Sequence, residues 1–247
     1  HVAGFQFGDW LDPTAPPAHP EDGRTDFRIV MAINAIRSCD AVARAADVLG
    51  RPADAERFEN KAADLRAFFR KHYVTEAGLV VSDSQTGLAM ALAYDVLPPE
   101  LRAAAADRLV HVVNRDRKAL RVGMLGAQVL LDVLTDAGHA DLAYALLLRE
   151  EVPSWLYAVK MGATTIWERW DSMLPDGSIN PGDMTSFSHY AFGAVADWIQ
   201  RRIGGIAPAE PGYRVIRFSP LPGGGIDWAK AEFESPYGKV SSHWQVR

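Results

Sequence analysis

The sequence predicts a mainly α-helical protein that ends in a short β-rich tail. Apolar residues recur at helical spacing in successive segments up to about residue 202. Proline and glycine cut those segments into pairs joined by short connections, and the composition changes after Gly204-Gly205. With 247 residues, 48% of them hydrophobic, the chain can bury the core of one large domain, or of a large domain plus a small one.

The opening stretch from Gly8 to Gly23 holds Pro13, Pro16, Pro17 and Pro20, so it reads as an ordered loop or a linker. Thr25 or Asp26 can cap a first helix running to about Leu49, with Phe27, Val30, Met31, Ile33, Asn34 and Ile36 on its apolar face and Gly50 closing it. Pro52 suits the first turn of a second helix, in which Phe58, Ala62, Leu65, Phe68 and Phe69 keep helical spacing up to Tyr73. The plan repeats as Thr86 to Val96, a stop at Leu97-Pro98-Pro99, and Glu100 to about Asn114. It repeats again as Leu125 to Leu134, a Thr135-Asp136-Ala137-Gly138 connector, and His139 to about Glu150. A last helix is expected from Phe187 to about Arg202. Paired helices with no strand pattern between them describe an array of helical hairpins. Beyond Gly205, the stretches Tyr213 to Phe218, Ala229 to Glu234 and Lys239 to Val246 read as strands between proline and glycine breaks. Such a tail is too short for a self-sufficient sandwich, so it packs on the helices or belongs to a larger sheet.

Composition excludes several functions. The net charge is -5 with both signs mixed along the chain, which lacks the basic stripe a nucleic-acid binder needs. No run approaches the roughly 20 apolar residues of a membrane span, so the chain reads as soluble with its compartment left open. The single cysteine, Cys39, forms no internal disulfide and sits mid-helix as an inert apolar group. No HExxH pattern, dinucleotide loop or nucleophile elbow is present, so no metal or cofactor is expected.

Chemistry concentrates in three places. The first is Gly162 to Asp171, GATTIWERWD, where Glu168 is flanked by Trp167 and Trp170. Indole faces suit sugar rings, and a carboxylate beside them can activate water. The structural alternative makes both tryptophans core residues and pairs Glu168 with Arg169 or Arg201 on the surface. The second is Ser186 to Tyr190, with His189 as a ligand contact or as a satisfied group at a helix start. The third is Gly8-Asp9-Trp10, another acid beside a tryptophan, read either as part of a sugar site or as a loop anchor whose indole plugs the core.

Taken in order, FQFGDWLDP, SDSQTGLAMAL, YALLLREEVPSWLYAVKMGATTIWERWDS, SFSHYAFGAVADWI and GGIAPAEPGYRVIRFSP resemble the C-terminal half of the bacterial α-L-rhamnosidase family of glycoside hydrolases. The resemblance implies residues 1–203 as the C-terminal part of an (α/α)6 catalytic barrel of helical hairpins, and 204–247 as the start of a C-terminal β-sandwich. It implies hydrolysis, with inversion, of terminal α-L-rhamnose from glycosides or polysaccharides. Glu168 then matches the general base, His189 a sugar-contacting histidine and Trp10 a wall of the sugar pocket, with Asp9 and Trp167 beside them as substrate-binding residues. Ser188 stands where the family has asparagine. The family's general acid lies upstream of GDWL, so the chain is expected to be a fragment, inactive alone, with an open barrel edge that can self-associate. Two alternatives stay open: a non-catalytic carbohydrate-binding or interaction module, and another six-hairpin glycosidase or a polysaccharide lyase.

Overall fold

The structure, a computed structural model, describes residues 4–246. Helix α1 (Phe27–Val48) begins where the Asp26 carboxylate accepts the Arg28 N–H, and it ends at Gly50, whose φ of 65° suits a residue without a Cβ. Pro52 then opens α2 (Pro52–Tyr73), which packs along α1 as the first antiparallel hairpin. The second hairpin is α3 (Gln85–Ala93) and α4 (Pro99–Arg115). Helix α3 is buried on every side from Gln85 to Leu92, as expected of a helix apolar all round, and it contacts α1, α4, α5 and α6. The third hairpin joins α6 (Leu130–Asp136) to α7 (Ala140–Leu147) across the turn at Gly138. One continuous core runs from Ile29 and Ile33 of α1 through Leu88, Met90, Leu109 and Leu134 to Trp170, Phe192 and Trp198.

Three segments depart from the sequence reading. The helix expected from Leu125 to Leu134 is split into α5 (Met124–Ala127) and α6, because Val129 leaves helical geometry at φ -121°. A short helix, α8 (Trp155–Lys160), was not expected; Ser154 caps it by accepting the Tyr157 N–H. The last helix starts at Ala191 instead of Phe187. Residues 186–189 are held against 166–168 by backbone hydrogen bonds, which keeps them out of a helix. It proceeds as a 3-10 turn (Ala191–Ala194), α9 (Val195–Trp198) and a π turn (Ile199–Ile203). Arg201 and Arg202 from that last turn grip Asp132 of α6, which clamps the end of the array to the third hairpin.

Among the described residues, strands longer than an isolated bridge begin at Ile206. Strands β1 (Ile206–Pro208) and β2 (Ile216–Phe218) pair antiparallel, as do β3 (Trp228–Ser235) and β4 (Gly238–Gln245). The tail packs on the helices: Trp244 Nε1 donates to the Ile203 carbonyl at 2.7 Å, and Leu221 N to the Arg202 carbonyl at 2.8 Å. The Tyr144 hydroxyl of α7 donates to the Leu221 carbonyl. Cys39 is free and buried on α1. No helix among the described residues is long and apolar enough to cross a membrane.

Candidate active site

Glu168 lies on a loop whose backbone is braced by a second loop. Glu168 N donates to the Ser186 carbonyl at 2.9 Å and His189 N to the Ile166 carbonyl at 2.8 Å. The Thr165 hydroxyl donates to the Phe187 carbonyl. These bonds bring Glu168 and His189 together although they are 21 positions apart in sequence. Ser186 N donates to Glu168 Oε2 at 3.1 Å, and Oε1 faces His189 Nε2 at 4.0 Å. The Glu168 side chain keeps 13% of its surface exposed, so its carboxylate is sheltered yet reachable. Ala191 N donates to His189 Nδ1 at 3.3 Å, so in the neutral ring the proton sits on Nε2, facing Glu168. At Ser188, Ser188 N donates to Ser186 Oγ at 3.1 Å and the Ser186 hydroxyl to the Ser188 carbonyl at 3.2 Å, closing a small turn beneath the imidazole.

His189 also lines a cleft of about 310 Å³ with Phe7, Gly8, Trp10, Met124, Leu125 and Tyr190. Trp10 is half-buried there and meets Phe5 and Phe7 edge to face. The His189 and Tyr190 rings stack with centroids 5.2 Å apart. His189 is thus the hinge between the Glu168 carboxylate and the Trp10 wall. Met124, Leu125 and Phe7 were not singled out in the sequence, since nothing in an apolar side chain marks it as cleft-lining.

Two residues expected to touch the substrate, Asp9 and Trp167, are buried. Asp9 is fully buried, and both of its oxygens are occupied. Oδ2 accepts the Thr86 hydroxyl and Gly123 N (2.7 Å), while Oδ1 accepts Leu125 N (3.0 Å) and Gly126 N (3.1 Å). Burial pushes its carboxyl up to about 6 against those donors, with the nearby Asp12 charge adding to the rise. It anchors its loop, while Trp10 beside it faces the cleft. Trp167 is buried too, edge-on between Tyr157 and Phe187. Trp170 stacks on Phe192 and donates its Nε1 proton to the Val122 carbonyl at 3.0 Å. Trp170 therefore belongs to the core, and Trp167 is buried beside an apolar groove. Glu168 does not follow the surface alternative, because Arg169 pairs with Asp171 and Arg201 with Asp132 and Asp197.

Helical hairpins stacked in an array, with a sheltered carboxylate facing an imidazole at the edge of a cleft, suit part of a six-hairpin glycosidase domain. The chain belongs to the bacterial α-L-rhamnosidase family: the model of that family's six-hairpin glycosidase domain matches residues 1–203, and that of its C-terminal domain residues 205–247. An α-L-rhamnosidase of Streptomyces avermitilis is 41% identical over 98% of this chain and 22% of its own length, and one of Formosa agariphila is 36% identical over 98% and 26%. The crystal structure of the native α-L-rhamnosidase from Aspergillus terreus superposes with a TM-score of 0.95 at 42% identity, covering 98% of this chain and 28% of that one. That of the Streptomyces avermitilis α-L-rhamnosidase complexed with L-rhamnose gives 0.88 at 41% identity, covering 98% and 22%. The chain spans about a quarter of the length of these relatives.

Proposed function

We propose that the protein containing this segment is an inverting α-L-rhamnosidase acting on terminal α-L-rhamnose of glycosides or polysaccharides. Residues 1–203 then form the C-terminal part of its catalytic barrel and 204–247 the start of a β-domain. The observation that carries the reading is the Glu168 carboxylate, fixed through Oε2 by the Ser186 amide and opposite His189 Nε2 through Oε1, beside the cleft that Trp10 walls. In this role Glu168 takes a proton from water as the water oxygen bonds to the anomeric carbon, and the bond from that carbon to the glycosidic oxygen breaks. A second carboxyl group, from the part of the protein upstream of this segment, protonates the departing oxygen. Inversion requires the two carboxyls roughly 6.5–9.5 Å apart, leaving room for the water. His189, with its proton on Nε2, donates to a sugar hydroxyl, and Trp10 packs against the ring.

The same reading continues the barrel beyond these hairpins. An apolar groove of about 390 Å³ lies between α8 and the last helix, lined by Leu156, Val159, Ile166, Val195 and Ile199 among others. Val159 is 61% exposed there, as befits a face that further helices cover in the longer protein. The deciding experiment is to follow the anomer first released from an aryl α-L-rhamnoside by NMR, in the wild-type protein and in Glu168→Gln. Release of the inverted sugar, lost in the variant, supports the reading; retention of configuration or normal turnover in the variant overturns it.

A further inference from the structure

The buried carboxylate of Asp9 has no part in the chemistry just described, yet it is among the most completely satisfied polar groups in the molecule. Its four donors come from two places far apart in sequence: the Thr86 hydroxyl in the first turn of α3, and the amides of Gly123, Leu125 and Gly126 at the start of α5. The next residue continues the seam, since Met124 N donates to the Trp10 carbonyl at 2.9 Å. The two backbones lie so close that a Cβ on Gly123 would fall 2.3 Å from the Asp9 carbonyl oxygen and 2.4 Å from that of Trp10. A Cβ on Gly126 would fall 2.2 Å from Thr86 Oγ1. Real contacts never approach so closely, so both glycines are needed for the loop to lie flush on the turn. What sits on either side of this seam is the cleft: Trp10 on one side, Met124 and Leu125 on the other, facing His189.

We infer that Asp9 is a positioning residue, a buried latch that joins the Gly8–Leu11 loop to the α5 turn and so holds Trp10, Met124 and Leu125 as one wall of the sugar cleft. This rests on the reading of the Glu168–His189 cleft as the rhamnose site. The latch acts on the wall and leaves the Glu168 carboxylate, braced by the separate 186–189 loop, in place. It therefore governs how well the ring is held and not how fast water is activated.

The test is Asp9→Asn in the full-length protein. An amide matches the shape of the carboxylate but turns one acceptor into a donor, so an N–H must face either the Thr86–Gly123 pair or the Leu125–Gly126 pair. On an aryl α-L-rhamnoside at neutral pH, the Michaelis constant is expected to rise about tenfold or more, the loss of roughly one buried charge-assisted hydrogen bond, with kcat changed less than about threefold. Amide hydrogen exchange is expected to speed up at residues 8–12 and 123–126 and to stay unchanged on α1 and α2. Thr86→Val, which removes only the hydroxyl donor, should move both readouts the same way by a smaller amount and decides the matter if Asp9→Asn does not fold. An unchanged Michaelis constant, a fall confined to kcat, or exchange that rises evenly over the whole chain overturns the latch. A wild-type protein that fails to hydrolyse the rhamnoside overturns the functional reading instead, and local exchange in the two segments then still decides whether Asp9 joins them.

Discussion

The chain carries two motifs in which an acid stands beside a tryptophan, Asp9-Trp10 and Trp167-Glu168, and the fold uses them in opposite ways. In the first, the acid is buried and the indole half-exposed on the cleft; in the second, the indole is buried and the acid stays partly exposed, 4.0 Å from the His189 that lines the cleft. The cause is backbone geometry. Asp9 points into a turn whose amides have no helical partners, and these claim both of its oxygens. Glu168 follows a residue locked into an aromatic cluster, so its own side chain turns the other way, toward a loop that offers it one amide and one imidazole. Composition at a motif therefore says which chemistry is available, and the neighbouring hydrogen bonds decide which member performs it.

The largest expected effect concerns the segment as a whole. Purified alone, residues 1–247 should give no measurable turnover on an aryl α-L-rhamnoside and should self-associate through the apolar groove beside Val159, seen as a mass above 27.1 kDa in light scattering. Turnover matching that of the full-length protein would place the general acid inside these residues. Next in size is the contrast between the two acids. Glu168→Gln should lower kcat about 10²- to 10⁴-fold with little change in melting temperature, because Gln keeps the shape but accepts no proton from water. His189→Ala should weaken both binding and turnover by less. A Glu168→Gln variant with near-normal kcat would move the base elsewhere and erase the contrast with Asp9.

The hairpins were legible because they are periodic and punctuated: Asp26, Gly50, Pro52 and Pro99 mark boundaries that the structure keeps within a residue or two. What the sequence did not show depends on contacts between distant segments. The delayed start of the last helix follows from hydrogen bonds between 186–189 and 166–168, and no property of Phe187 or Ser188 announces them. The split at Val129 is equally hidden. The candidate site was half legible. Glu168, His189 and Trp10 carry marks in the sequence, and the structure sets Glu168 beside His189 and His189 with Trp10 on one cleft, whereas the burial of Asp9 and Trp167 is not marked because burial is a property of neighbours. Ser154, which follows a proline and precedes an apolar run, carries an N-cap signal that matches its place at the start of α8.

A third pair of substitutions sharpens the comparison through the indoles. Trp167→Ala removes a ring that is 5% exposed and wedged between Tyr157 and Phe187, and should destabilise the domain by about 3–5 kcal/mol. Trp10→Ala removes a ring with one face on the cleft, and should cost less stability while raising the Michaelis constant. Denaturant unfolding beside steady-state kinetics on the two variants checks this. If Trp167→Ala proved the one that spared stability and lost binding, the indole of WERW would face the sugar after all.

The last prediction sets Asp9 apart by pH from Asp83, an acid paired with Arg108 and Arg115. Asp9 titrates near 6 in the folded protein against an ordinary 3.8, because burial disfavours its charged form more than its four donors favour it. A carboxyl whose folded value is raised binds its proton more tightly when folded. Its stabilising contribution is therefore fully present below about pH 3.8 and is lost as pH rises through about 6. The span of about two pH units corresponds to about 3 kcal/mol. Asp83 behaves in the opposite sense and in another window. Hydrogen bonds from Arg108, and then Arg115, hold it down to about 2, so its contribution is present above 3.8 and fades only as pH falls toward 2. Between pH 4 and 7, the stability of wild type minus that of Asp9→Asn should thus fall as pH rises, by up to about 3 kcal/mol, since asparagine does not titrate. Unfolding curves of both proteins across that range measure the difference directly. A difference that grows with pH would mean that the amides of Gly123, Leu125 and Gly126, with the Thr86 hydroxyl, outweigh burial, so that the latch is tightest as a carboxylate.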